Sequence, residues 1–171
     1  MDSRPNPLKR KREIRDSMEK ARRLFNSNLQ KLIGLSCKKN QTDDHIQNIK
    51  EIFTAISATE PSLIITKAGP YIWKYKEELA RRDEKFFIEN TFEKDVATFY
   101  GDPIPEMSDT FTEDDVSDVM KSLKRTWHLL NKSEKTIVWN HGTELLRAYA
   151  QYLGCEKKLH AINIEIKNMN K

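Results

Sequence analysis

The chain has 171 residues, the length of one domain. With 33% charged residues, 37% hydrophobic residues and a mean hydropathy of -0.75, it holds no apolar run near the roughly 18 residues of a membrane-spanning helix. Two cysteines, Cys37 and Cys155, do not make a disulfide framework, and five glycines argue against glycine-rich phosphate loops and hairpin-rich all-β folds. The net charge of +4 hides a division: residues 1–39 carry 12 Lys and Arg against 4 Asp and Glu, while the other 132 residues carry 18 against 22.

The densest basic run, Lys9-Arg10-Lys11-Arg12, follows Pro5 and Pro7. It fits a nuclear-localisation signal, a nucleic-acid patch or the solvated start of a basic helix. The preceding Met1-Asp2-Ser3-Arg4-Pro5 has no apolar region of the secretory kind, so the expected setting is intracellular, cytoplasm or nucleus. Ile14, Met18, Ala21, Phe25, Leu29 and Leu32 then recur at the helical period, which predicts one helix over residues 8–33 ending at Gly34. At 1.5 Å per residue it spans about 39 Å, more than a domain of this size needs, so its first turns are expected to project outward. Residues 1–33 thus read as a basic N-terminal arm.

Residues 34–100 read as a helical body. After a polar connection, Ile46, Ile49, Phe53 and Ile56 mark a helix over 43–58 capped by Thr42 or Asp43. Pro61 starts a short helix that Gly69-Pro70 breaks. Ile72, Tyr75, Leu79, Phe86 and Phe87 give helical spacing across 71–89, with Arg81-Arg82-Asp83-Glu84-Lys85 as a charged interruption. Aromatic and basic residues together can stack on nucleic-acid bases, or simply form a core helix with an exposed charged turn. A further short helix covers 92–100. Residues 101–111 form an acidic loop, kept from helix by Asp102-Pro103-Ile104-Pro105.

Residues 112–154 read as a helical hairpin. Thr112-Glu113-Asp114-Asp115 resembles a capping box, and Val116, Val119, Met120, Leu123, Trp127 and Leu130 form one stripe. Ser133 is the expected cap of the second helix, Gly154 its stop, and so short a turn predicts antiparallel packing. In the tail, residues 155–171, Ile162, Ile164 and Ile166 alternate with polar residues, as a strand added to a partner's sheet edge would; a terminal helix packed back through Leu159 and Ile162 is the other reading.

Catalytic and metal-binding patterns are missing from the sequence. There is no GxSxG, GxxxxGK[ST] or HExxH, and His45, His128, His141 and His160 include no pair at zinc-binding helical spacing. Cys155 with His160 needs further ligands. The acidic run from Asp102 to Asp118 fails as a calcium loop, because reading from Asp109 puts Asp114 and Met120 where glycine and glutamate are required. The expectation is no catalytic residue, no metal and no cofactor.

Pro70-Tyr71-Ile72-Trp73-Lys74-Tyr75-Lys76-Glu77-Glu78-Leu79 leads into Arg82-Asp83-Glu84-Lys85-Phe86-Phe87, and Ser133-Glu134-Lys135-Thr136-Ile137-Val138-Trp139 precedes Leu145-Leu146. These helical segments resemble the closing helical hairpin of small proteins in large nucleocytoplasmic DNA viruses. The resemblance carries no functional residues. It implies a viral source, a helical fold and a place in the virion.

The expected fold is therefore all-α: an irregular bundle of about six helices with a long basic N-terminal helix, a C-terminal helical hairpin and an extended tail. The expected function is that of a non-enzymatic interaction or structural protein, a minor capsid-associated component of a large DNA virus, touching other proteins of an assembly through the basic helix and through Ile162, Ile164 and Ile166. The alternative is nucleic-acid binding through Lys9, Arg10, Lys11, Arg12, Arg15, Arg22 and Arg23.

Overall fold

The computed structural model describes residues 5–101 and 113–171, which form eight helices and no strand. They are α1 (Pro7–Lys39), α2 (Asp44–Thr59), α3 (Pro61–Lys74), α4 (Lys76–Ala80), α5 (Glu84–Glu89), α6 (Glu93–Gly101), α7 (Glu113–Leu129) and α8 (Lys132–Met169). The expected all-α class is the observed one. Thr112 of the expected capping box and residues 102–111 of the expected acidic loop lie outside the described residues.

Two long helices form the frame. α1 starts at Pro7, whose missing N–H costs nothing at a first helical position, and the Asn6 side chain accepts from the Leu8 N–H at 2.8 Å. Lys38 and Lys39 in its last turn suit the negative end of the helix dipole. α8 opens with a capping box in which Asn131, rather than Ser133, is the cap and Glu134 the reciprocal partner. Their 33 and 38 residues span about 50 and 57 Å. They run antiparallel, tied by Lys39–Glu134 (2.8 Å), Asn28–His141 (2.7 Å), Ser17–Gln151 (3.1 Å) and Arg10–Glu165 (2.7 Å).

Both helices outrun the expected stops. α1 passes Gly34 and α8 passes Gly154; a Cβ at either glycine would meet nothing within 4 Å. A solvent-facing glycine inside a helix costs only about 1 kcal/mol, which the packing on either side offsets. The extended tail is thereby corrected: residues 155–169 are helix, with Cys155 and Ile162 buried. The first turns of α1, expected to project outward, do not stand alone, because α8 runs alongside them.

The remaining helices pack on this frame or on one another. α2 and α3 lie against α1, and Asn26 Nδ2 donates to Pro61 O at 2.9 Å. Phe25, Ile56, Ile64, Ile65, Val119, Leu145, Ala148 and Tyr149 form the core cluster, each large apolar member contributing about 1.5–3 kcal/mol by burial. α3 continues through Gly69-Pro70, and Gly69 sits against the Tyr149 ring, where a Cβ would be 2.2 Å from the nearest ring atom. The helix expected over 71–89 is broken twice, at Tyr75 and at Arg82, whose φ of 53° ends α4 before Asp83 caps α5.

The hairpin helices part company after their turn. Trp127 and Trp139 meet edge-on at 5.3 Å, but the α8 backbone follows α1 while α7 approaches α2 and α6. The deepest face of α7 is also not the purely apolar one. Ser122 and Thr126 are buried with Val119, Thr126 donating to Ser122 O at 2.8 Å and accepting from Asn40 Nδ2. Met120 and Leu123 line a cavity instead.

Candidate functional site

The first candidate is the stem, residues 7–20 of α1 against residues 151–169 of α8. It carries nine Lys and Arg against five Asp and Glu. Its side-chain bonds from one helix to the other are Ser17–Gln151 and Arg10–Glu165, the latter from Nη2 to both carboxylate oxygens at 2.7 and 2.9 Å. Cys155 and Ile162 are buried in the seam, with Ile14, Met18, Leu159 and Ile166 half-buried beside them.

The seven basic candidates separate into two groups. Arg10 is tied to Glu165, while Arg22 and Arg23 both hold Glu19, whose carboxyl is pushed below its ordinary value by the Arg22 hydrogen bond. Among the described residues, Lys9, Lys11, Arg12 and Arg15 make no ion pair. Lys9, Arg12 and Arg15 are exposed, and Lys11 is half-buried. The isoleucines divide likewise: Ile162 is buried, Ile166 half-buried and Ile164 exposed, so Ile162 serves the seam and not a strand-adding partner. Leu8, Ile164 and Met169 are exposed at 65%, 48% and 67%, which leaves apolar surface beside the free cations.

The second candidate is a cavity of about 540 Å³ between α3, α5, α6, α7 and α8. It adjoins a second of about 590 Å³ towards α1 and α2, and Leu32, Ile49, Ile72, Val119, Leu123 and Val138 line both. The 71–92 aromatics build one wall: Tyr75 packs on Phe86 at 5.5 Å and on Phe92 at 5.4 Å, and Phe87 on Trp139 at 6.0 Å. Tyr75, Phe86, Phe87 and Phe92 are half-buried, packed mainly on one another.

Three charged side chains line this cavity. Asp95 accepts from the Tyr75 hydroxyl and from Lys74 Nζ at 2.6 Å. Glu84 accepts from Trp127 Nε1 at 2.8 Å and Lys135 Nζ at 3.3 Å, and the indole hydrogen bond foremost holds its carboxyl below the ordinary range. Lys124 differs. Its Nζ donates to Asn90 O and lies 5.9 Å from the Phe92 ring centre, with no carboxylate among the described residues in ion-pair distance. Sequence reading missed Lys124 because a single lysine on an amphipathic helix carries no signal until the fold turns it towards apolar walls.

A third cluster joins α2 to α7. His45, Asp115 and Asp118 bring three potential ligand atoms within 4.8 Å of one another, and His45 Nε2 lies 3.8 Å from Asp118 Oδ2. One imidazole and two carboxylates could hold a divalent cation such as zinc. All three residues are half-buried, and acidic groups commonly gather in this way without an ion.

No helix among the described residues is long and apolar enough to cross a membrane. Comparison with protein-family models, with curated proteins and with solved structures finds no match to this chain.

Proposed function

We propose that the chain is a non-enzymatic interaction protein, and that the free end of its α1–α8 stem docks an acidic, partly apolar surface of another protein in an assembly. One observation carries this reading: Lys9, Lys11, Arg12 and Arg15 lack acidic partners among the described residues and stand beside exposed Leu8, Ile164 and Met169. Basic groups alone suit any polyanion. Basic groups next to exposed apolar side chains suit the acidic amphipathic helix of a protein, since apolar contact adds nothing on a phosphate backbone. The resemblance to proteins of large nucleocytoplasmic DNA viruses is the support for setting that assembly in a virion, as a minor capsid-associated contact. The docking chemistry does not depend on it.

Nucleic-acid binding is the second reading, favoured by the same four cations. One titration separates the two. The full chain is offered an amphipathic helical peptide with Glu and Leu at helical spacing, and separately a short DNA duplex. The variant K9E/K11E/R12E/R15E, which leaves Arg10–Glu165 intact, should keep its helicity and lose the peptide. Leu8→Ser with Met169→Ser should weaken the peptide without touching any charge. Duplex binding that ignores the two serine variants and falls with salt at a log–log slope of about 0.9 per phosphate contact would favour the second reading. Failure to bind the peptide at low salt would overturn the first.

A further inference from the structure

The lining of the apolar cavity, Lys124 included, contains none of the stem residues 7–20 and 151–169, and together cavity and lysine define a ligand. We propose that the cavity between α3, α5, α6, α7 and α8 binds a long-chain fatty acid, its alkyl chain among the apolar and aromatic side chains and its carboxylate on Lys124.

Three observations converge. The volume of about 540 Å³ lies within the range of about 300–1,000 Å³ typical of small-molecule sites, and the walls are almost wholly apolar. Such walls select an alkyl chain and offer little to a polar solute. The three charged groups on the lining then fix the sign of the head group. Asp95 is matched by Lys74 and Tyr75, and Glu84 by Trp127 and Lys135, so both carboxylates are satisfied within the chain. Lys124 has one carbonyl and one ring face, which leaves donor capacity on an ammonium that can make three hydrogen bonds. An anion completes it. A single carboxylate at the end of an apolar chain meets both requirements, and a charge-assisted bond in partly apolar surroundings is stronger than one between neutral groups.

The test uses the purified full chain, freed of bound lipid by passage over a hydrophobic resin. cis-Parinarate, a polyene fatty acid that fluoresces in apolar surroundings, is titrated in and then displaced by palmitate or by hexadecanol. Saturable binding is expected, with palmitate displacing the probe at concentrations about tenfold below hexadecanol. Lys124→Met should weaken palmitate by about tenfold and abolish its advantage over the alcohol. Val116→Trp should remove binding by filling the space. Val138→Phe, at a half-buried wall position on α8, does the same should the tryptophan disturb folding, which circular dichroism reports. Absence of saturable probe binding by the delipidated chain overturns the proposal, as does unchanged affinity in both filled variants. Equal affinity for acid and alcohol in the native chain overturns the assignment of Lys124.

Discussion

The stem and the body of this molecule are made from the same two helices, yet they are held together differently. In the body, α1 and α8 are one wall of a core: Phe25, Ala148 and Tyr149 meet side chains from α2, α3 and α7. In the stem they face each other along one seam with an ion pair near its end, while Tyr152 and Leu153 at its base also pack against the core cluster. A helix residue in the body gains from burial against several elements, whereas one in the stem gains from a single facing stripe. The stem should therefore open locally while the body stays folded, as weakly buried segments do.

Two truncations probe this most strongly. Phe25→Ala removes a side chain with no exposed surface and should cost about 3–5 kcal/mol, seen as one cooperative loss of melting temperature. Ile162→Ala should cost nearer 2 kcal/mol, because a seam open on both sides can collapse around the gap. Its signature is also different. Hydrogen exchange should quicken across residues 7–18 and 155–169 while the amides of residues 137–150 keep their protection. A uniform loss of protection over both regions would show that stem and body form a single cooperative unit.

The glycines give a smaller, signed version of the same contrast. Gly69 in the body lies against the Tyr149 ring, so Gly69→Ala forces the ring aside and should destabilise by about 1–3 kcal/mol. Tyr149→Leu in the same chain should lessen that increment. Gly154 stands where α8 leaves the body, with open space around it, and Gly154→Ala should stabilise by about 0.5–1 kcal/mol through helix propensity alone. Thermal melts of the three variants decide it. Destabilisation by Gly154→Ala would mean that α8 is not one continuous helix.

These glycines also mark where the sequence could and could not be read. The stripe of α1 and the stripe of α2 are plain at the 3.6 period, and Asp43 caps α2 by accepting from the His45 and Ile46 N–H groups. Gly34 and Gly154 looked like stops because glycine is common just past helix ends, but position alone does not reveal that a partner helix runs alongside. The tail misled for a related reason. Ile162, Ile164 and Ile166 alternate, yet Cys155, Leu159, Ile162 and Ile166 also recur at spacings of 4, 3 and 4. The existence of an equally long α1 decides between the two periods, and only the fold supplies it. The basic run was visible in the sequence, whereas its sorting into tied and free cations needed Glu165 and Glu19 in place. The cavity was invisible, since Met120 and Leu123 belong to an ordinary amphipathic stripe and face emptier space only because α7 and α8 separate.

The smallest expected effect concerns the junction that joins α1 to α8 within the body. Asn28 is buried and donates its amide to Leu24 O at 2.8 Å, so its Oδ1 accepts and His141 Nδ1, 2.7 Å away, carries the proton. A second proton, on Nε2, would place a cation in the interface. Burial foremost, with Lys31 adding to it and Glu144 opposing, holds the imidazole below its ordinary value of 6.5. The unfolded chain therefore binds the proton first as pH falls, and the stabilisation by neutral His141, complete above about pH 6.5, is lost progressively below it. Glu19, Asp43, Glu84 and Glu134 are shifted downward from ordinary values of 4.5 or 3.8, so their contributions disappear only in more acid solution. Melting temperatures at pH 7.5 and 5.5 should thus fall further for the native chain than for His141→Gln, which keeps a donor for Asn28 and cannot titrate. Equal falls would place the pH dependence outside this junction.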